Sequence, residues 1–242
     1  HIWADAGVPC AAAASVSTLE EMAGAIEQIG FPCIVRSDQE HAQRQVATLF
    51  KAEDAKALDS EGLLPAVVLK LYDIRQEYRD VGRPRSDLFA RYHHKARAFV
   101  CGDRVLASHL FFSTERIVGL SNSLFQREAR YFGYHERLRA DLIAADKAYF
   151  SAPLEEAQEL VKAVRALGLD FAAVDYSIRP EGHIIIWEAN PYFWLPHGKA
   201  SVLSRQRDAV TRVDQTFDWF TACIKAYCND HPTLSVVSSS RR

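Results

Sequence analysis

Between Leu169 and Pro191 the chain reads LDFAAVDYSIRPEGHIIIWEANP, two apolar runs, Phe171 to Ile178 and His183 to Ala189, on either side of Arg179, Pro180, Glu181 and Gly182. Proline presets φ and glycine accepts a positive one, so the segment predicts a β-hairpin. The turn decides which residues meet. With the loop centred on Glu181 and Gly182, Asp175 falls across from Glu188, give or take one residue for a bulge. Asn190 lies two residues on, on the face of Glu188.

The flanks make that pairing costly. Runs that are apolar on both faces suit strands covered on both sides. An unpaired buried carboxylate costs several kcal/mol or shifts its pKa until it is neutral, so two facing acids there need a shared proton or a cation between them. Asp, Glu and Asn offer oxygen alone, which suits Mg²⁺ or Mn²⁺ and argues against structural zinc. Acids at strand ends facing water are the ordinary alternative. The apolar flanks and the third oxygen ligand weigh against it.

The pattern Asp, twelve residues, Glu, one residue, Asn resembles the metal site of the ATP-grasp superfamily, which includes D-alanine:D-alanine ligases, glutathione synthetases, ribosomal-protein glutamate ligases and biotin carboxylases. The resemblance implies an α+β fold of two lobes with ATP between them, and Asp175, Glu188 and Asn190 as ligands of Mg²⁺ (or Mn²⁺) on the ATP phosphates. It extends over roughly residues 5 to 200 and lies nearest a branch close to the ribosomal-protein glutamate ligases.

Upstream, Ser17 and Glu20 read as a capping box ahead of Leu19, Met22, Ile26 and Ile29, with Gly30 as the stop. Strand FPCIVR, a polar stretch to Gln45, a strand near Ala47 to Phe50, a helix from Ala52 to Leu58 and a strand from Pro65 to Tyr72 follow. Helix, strand, loop, strand, helix, strand resembles the ATP-grasp lid. Gly7, Val8 and Pro9 match its opening, Gly30, Phe31 and Pro32 its next motif, and Arg36 takes the phosphate-binding Lys position. Arg keeps the charge and grips phosphate as a fork. Where the family has a glycine-rich flap, Ser37 to Gln45 contain no glycine, so either Arg44 substitutes through its side chain or the flap is degenerate.

Lys70, Leu71, Tyr72 and Asp73 fall at the family's nucleotide hinge, with Lys70 in place of its Glu. Residues 75 to 88 read as a charged crossing between a lid of residues 1–74 and a second subdomain of residues 75–228. Strands Phe89 to Cys101 and Arg104 to Phe112 pair through Gly102 and Asp103. Lys95 and Arg97, two apart, share a face. The resemblance makes them the catalytic cations at the phosphoryl groups or acyl-phosphate.

A helix is expected over Tyr134 to Lys147, another over 154–167 capped by Ser151 with Leu154, Ala157, Val161 and Val164 inside, and a last one with Val210, Val213, Phe217, Phe220, Ile224 and Tyr227 as its buried face. His197 and Lys199 are candidate contacts for an anionic substrate. Residues 229–242 read as a disordered tail.

A net charge of -2 gives no sign of a nucleic-acid or anionic-membrane partner, and no apolar run reaches the roughly 18 residues of a membrane span. Five cysteines without C-x-x-C spacing fit a reduced, cytoplasmic setting, with no signal peptide expected. The family's N-terminal domain is absent from the sequence; either it lies upstream on a longer protein or the fold acts alone. The implied activity is ATP- and Mg²⁺-dependent ligation of a small-molecule or peptide carboxylate to an amine through an acyl-phosphate. An ATP-binding regulatory or interaction module without ligase activity stays open, as does a homodimer.

Overall fold

The structure, a computed structural model, describes residues 2–37, 46–58, 63–82, 87–119, 122–124, 136–193 and 207–230. Its first lobe holds α1 (Ile2–Asp5), β1 (Ala13–Val16), α2 (Leu19–Ile29), β2 (Cys33–Ser37), β3 (Val46–Leu49), α3 (Ala52–Lys56) and β4 (Ala66–Lys70). The strands form one antiparallel sheet in the order β1-β4-β2-β3. From α2 to β4 this is the order expected of the lid. β1 was not expected: its AASV has little strand propensity, and pairing with β4, Ala13 opposite Leu69 to Val16 opposite Ala66, makes it a strand.

The capping box sits one residue later than expected. Thr18, extended at φ -127°, accepts from Glu21 N at 3.2 Å, and the Glu21 carboxylate accepts from the N–H groups of Ser17 and Thr18 at 2.7 and 3.2 Å. Ser17–Glu20 and Thr18–Glu21 have the same spacing; burial decides between them. Met22, Ala25 and Ile26 pack under the sheet with Val35 and Val68, while Leu19 stays exposed. Thr18→Ala is therefore expected to cost about 1 kcal/mol and Ser17→Ala only a few tenths, which urea unfolding of the two variants checks.

The second lobe contains α4 (Ile74–Asp80), α5 (Leu88–Arg91), β5 (His93–Cys101), β6 (Arg104–Ser113), α6 (Glu136–Ser151), α7 (Ala157–Ala166), β7 (Phe171–Ile178), β8 (Ile184–Asn190) and α8 (Arg207–Asp230). Its antiparallel sheet runs β6-β5-β7-β8. On one face Ala98, Val100, Leu110, Phe112, Val174 and Ile186 pack with Leu142 and Tyr149 of α6 and Leu160 and Val164 of α7. That face is the core; the other carries the charged groups described below.

Three local expectations change. Phe89 to Arg91 are helical, because Asp87 accepts from Phe89 N at 2.8 Å and caps α5. Ser151 ends α6 instead of capping α7, which begins at Ala157 and buries Leu160, Ala163 and Val164. In α8 the inward residues are Thr216 and Cys223, with Phe220 against Phe99 at 5.2 Å, and Phe217 and Ile224 are exposed. The inward stripe follows what β5 offers, not the most apolar face. Val210, Val213, Arg44, His197, Lys199 and the tail beyond Asp230 lie outside the described side chains. Among the described residues no helix is long and apolar enough to cross a membrane.

Candidate functional site

The hairpin forms with its turn over Pro180–Gly182, where Glu181 and Gly182 both adopt positive φ, 65° and 79°. Near the turn Ile178 pairs with Ile184, Ser177 with Ile185 and Tyr176 with Ile186. Continued without interruption, that register would set Trp187 opposite Asp175 and turn Glu188 into the helix-covered face. A bulge intervenes: β8 carries Trp187 as an extra residue, and Asp175 pairs with Glu188 and Ala173 with Asn190. One inserted residue thus brings both carboxylates and the amide to one face.

A second irregularity faces it. Arg97 of β5 pairs with Asp175 on one side and His109 of β6 on the other, and the β5–β6 register shifts between Arg97 and Ala98 with Ser108 as the extra residue. His109, Arg97, Asp175 and Glu188 therefore form a row across all four strands. His109 stacks on Phe111 with ring centroids 3.9 Å apart, and its Nδ1 lies 3.1 Å from Ser108 Oγ. Sequence reasoning passed over His109 and Trp187, since in ASHLFF and IIIWE each looks like one more strand residue.

The electrostatics differ from a pair of buried acids. Asp175 is 4% exposed, whereas Glu188 is exposed and Asn190 half-buried, because β7 lies between β5 and β8 while β8 ends the sheet order. The partners of the Asp175 charge are side chains. Lys95 Nζ donates to its Oδ2 at 2.8 Å, and Arg97 donates through Nε to Oδ1 at 2.6 Å and through Nη2 to Oδ2 at 2.9 Å. Burial alone would raise the Asp175 pKa; the Arg97 fork and the Lys95 ammonium overturn that and hold it well below the carboxylate range. Burial acts to lower the Arg97 pKa, and Asp175, with Glu188 adding to it, raises it instead. Asn190 Oδ1 accepts from Tyr192 N at 2.7 Å. Among the described residues no group of three His, Cys, Asp or Glu side chains gathers at one point.

The lid and hinge candidates lie apart from this cluster. Arg36 is half-buried on β2, opposite Val46 and Val67. Lys70 Nζ donates to the carbonyls of Phe31 and Gly30 at 2.8 and 3.4 Å, so its ammonium braces the turn before β2. Lys70 N–H goes to Ala12 O at 2.8 Å and that of the buried Leu71 to Pro32 O at 3.1 Å. Asp73 accepts a fork from Arg75 at 3.1 and 3.0 Å, with Arg116 Nη1 3.7 Å away; burial works to raise its pKa, and Arg75 carries it below the ordinary value. The Arg116 guanidinium also lies 4.9 Å over the Phe50 ring, so one side chain touches both Phe50 after β3 and Asp73 after β4. Tyr72 meets Trp187 at a centroid distance of 6.5 Å, joining the segment after β4 to the residue beside Glu188. A shallow depression of about 680 Å³ lined by Ala6, Gln158, Lys162 and Arg165 sits on the outer side of α7, away from these charges.

No family model matches the chain, and no curated protein does. Solved structures do. The ATP-grasp ligase PsnB complexed with minimal precursor, Mg and ADP aligns at 14% identity and a TM-score of 0.49, over 90% of this chain and 55% of its own. The macrocyclase MdnC bound with precursor peptide MdnA, from Microcystis aeruginosa MRC, aligns at 12% and 0.45 over 80% and 51%. The ADP complex of purK, N5-carboxyaminoimidazole ribonucleotide synthetase, aligns at 15% and 0.47 over 86% and 49%. The chain spans about half the length of these proteins. What the chain itself shows is an α+β architecture of two antiparallel sheets, β1-β4-β2-β3 and β6-β5-β7-β8, with Asp175, Glu188 and Asn190 on one face of the β7–β8 hairpin.

Proposed function

We propose that the chain is the ATP-binding portion of an ATP- and Mg²⁺-dependent ligase joining a carboxylate to an amine, with residues 1–74 as the lid and 75–228 as the subdomain holding the metal site. One observation carries the reading: Lys95, Arg97, Asp175, Glu188 and Asn190, from three strands, share the open sheet face that the Tyr72–Trp187 contact joins to the hinge.

The donor set fits a hard divalent cation. It supplies side-chain oxygens from a buried carboxylate, an exposed one and an amide, without sulfur or imidazole. Mg²⁺ bound there would neutralise phosphate charge while the substrate carboxylate displaces ADP from the γ-phosphorus and the amine then displaces phosphate from the acyl carbon. Lys95 and Arg97 orient and neutralise the transferring phosphoryl group, as positioned cations do in such displacements. Arg36 extends the cationic lining from the lid, and Lys70, Leu71, Tyr72 and Asp73 bound the base and ribose. The carboxylate and amine are small-molecule or peptide groups.

Calorimetry with Mg·ATP on the wild-type chain and Glu188→Ala tests this. Binding that falls at least about tenfold in the variant is expected, each tenfold being 1.4 kcal/mol. Absence of Mg·ATP binding to the folded wild type overturns it. A second reading, a nucleotide-binding module without ligase chemistry, is favoured by the glycine-free Ser37–Gln45 stretch and by Lys70 bracing the turn before β2 in the family's Glu position. Mg·ATP binding with no ADP release across a panel of carboxylates and amines selects it.

A further inference from the structure

We propose that the site is self-quenched: without a polyphosphate, Lys95 and Arg97 close on Asp175 and exclude a divalent cation, and a phosphate chain opens the cluster by drawing those two cations off, so that metal and polyphosphate bind together. The inference rests on the assignment of Asp175, Glu188 and Asn190 as metal ligands.

Three observations carry it. A carboxylate offers about four lone-pair positions. Lys95 Nζ and both nitrogens of the Arg97 fork take three on Asp175, leaving one, on Oδ1. Next, Lys95 and Arg97 balance Asp175 and Glu188 charge for charge, so the row presents no net negative charge to a divalent ion. Finally, Asp175 is 4% exposed, so water does not screen this closed pairing as it would a surface one. A polyphosphate changes each term. It gives Lys95 and Arg97 oxygens of higher charge, for which a guanidinium fork is well shaped, and it frees Asp175 as it brings negative charge to the site. By linkage, the metal raises polyphosphate affinity by the factor by which polyphosphate raises that of the metal.

Electron paramagnetic resonance of Mn²⁺ tests the inference on the full chain, with wild type, Lys95→Gln, Arg97→Gln and Arg97→Lys. Mn²⁺ alone is expected to bind Lys95→Gln and Arg97→Gln at least about tenfold more tightly than wild type, since each variant removes one unit charge beside the ion. Arg97→Lys, which restores the charge, is expected to exclude Mn²⁺ as wild type does. Circular dichroism identifies a variant that has lost its fold, and Lys95→Gln, which leaves the Arg97 fork in place, then carries the comparison. Equal Mn²⁺ affinity in wild type and the folded Gln variants overturns the quenching. Wild type with Mn²⁺ and ADP separates that failure from the other: a protein-bound Mn·ADP signal keeps the ligand assignment while quenching falls, and no such signal removes both.

Discussion

Asp175→Ala is expected to cost about 3–5 kcal/mol of folding stability, the range for breaking a buried ion pair from one side. The loss comes from what remains. Lys95 and Arg97, with side chains 19% and 25% exposed, would keep their charges without the Asp175 carboxylate between them. Glu188→Ala, at an exposed position, is expected to change stability by under about 1 kcal/mol while removing the oxygen proposed above as a metal ligand. The two carboxylates of one cross-strand pair are thus expected to separate, Asp175 dominating stability and Glu188 dominating Mg·ATP binding. Urea denaturation of both variants at pH 7 checks the contrast. The Asp175 carboxyl is depressed in the folded state, so its contribution is whole above the unfolded value of about 3.9 and is lost as pH falls toward the folded one.

Stability is also expected to fall steeply between about pH 6.5 and pH 5, well above the range in which carboxylates titrate, because of two adjacent histidines. His93 is lowered to about 4, first by burial and then by Arg75, with Arg116 and Arg79 adding to it and Asp73 opposing. His94 is lowered to about 3 by burial; its Nε2 accepts from Ile178 N at 2.9 Å, and its ring meets Phe89 edge-on at 4.7 Å. Both stay neutral in the folded chain while the unfolded chain takes up protons below about pH 6.5. Their contribution is therefore present above that value and lost as pH falls. With a limiting slope of 1.36 kcal/mol per pH unit and residue, reached only below the unfolded value, the two together give about 3 kcal/mol over this interval. Chemical denaturation at pH 7 and pH 5 measures it. His94→Phe is expected to remove about half of the pH dependence, whatever it does to stability at pH 7.

His94 also links packing to the site. Its main chain belongs to β5, its carbonyl accepts from Ser177 Oγ at 2.9 Å, and that hydroxyl accepts from Trp187 Nε1 at 2.8 Å. The ring thus holds the start of β5 against β7, and Ser177 ties the bulge residue beside Glu188 to the same point. On the covered face, Tyr149 OH donates to Arg97 O at 3.0 Å and lies 2.7 Å from Tyr176 OH, which donates to Glu156 at 2.6 Å. Burial raises the pKa of both tyrosines, keeping them as hydroxyls under the strand that carries Arg97.

Much of the scaffold was legible because its signals are local. A turn of Pro180, Glu181 and Gly182 between apolar runs brought Asp175 to within one residue of Glu188, the difference being the bulge, and alternation along β5 put Lys95 and Arg97 on one face. The order of elements from α2 to β4 followed from helical and strand periods and their stops. Where two local solutions were equal, as for Ser17–Glu20 and Thr18–Glu21, the residues buried under the first sheet chose.

By itself, then, the sequence determined that a hairpin would bring Asp175 to within one residue of Glu188 beside a basic strand, because turn chemistry and period-two alternation act over a few residues. Only the tertiary structure decided that Trp187 is the bulge, that Lys95 and Arg97 close on Asp175, and that His109 completes the row. The closing of Lys95 and Arg97 on Asp175 joins groups about 80 residues apart in the chain, whose meeting is set by the order of strands in the sheet and the burial of β7 within it.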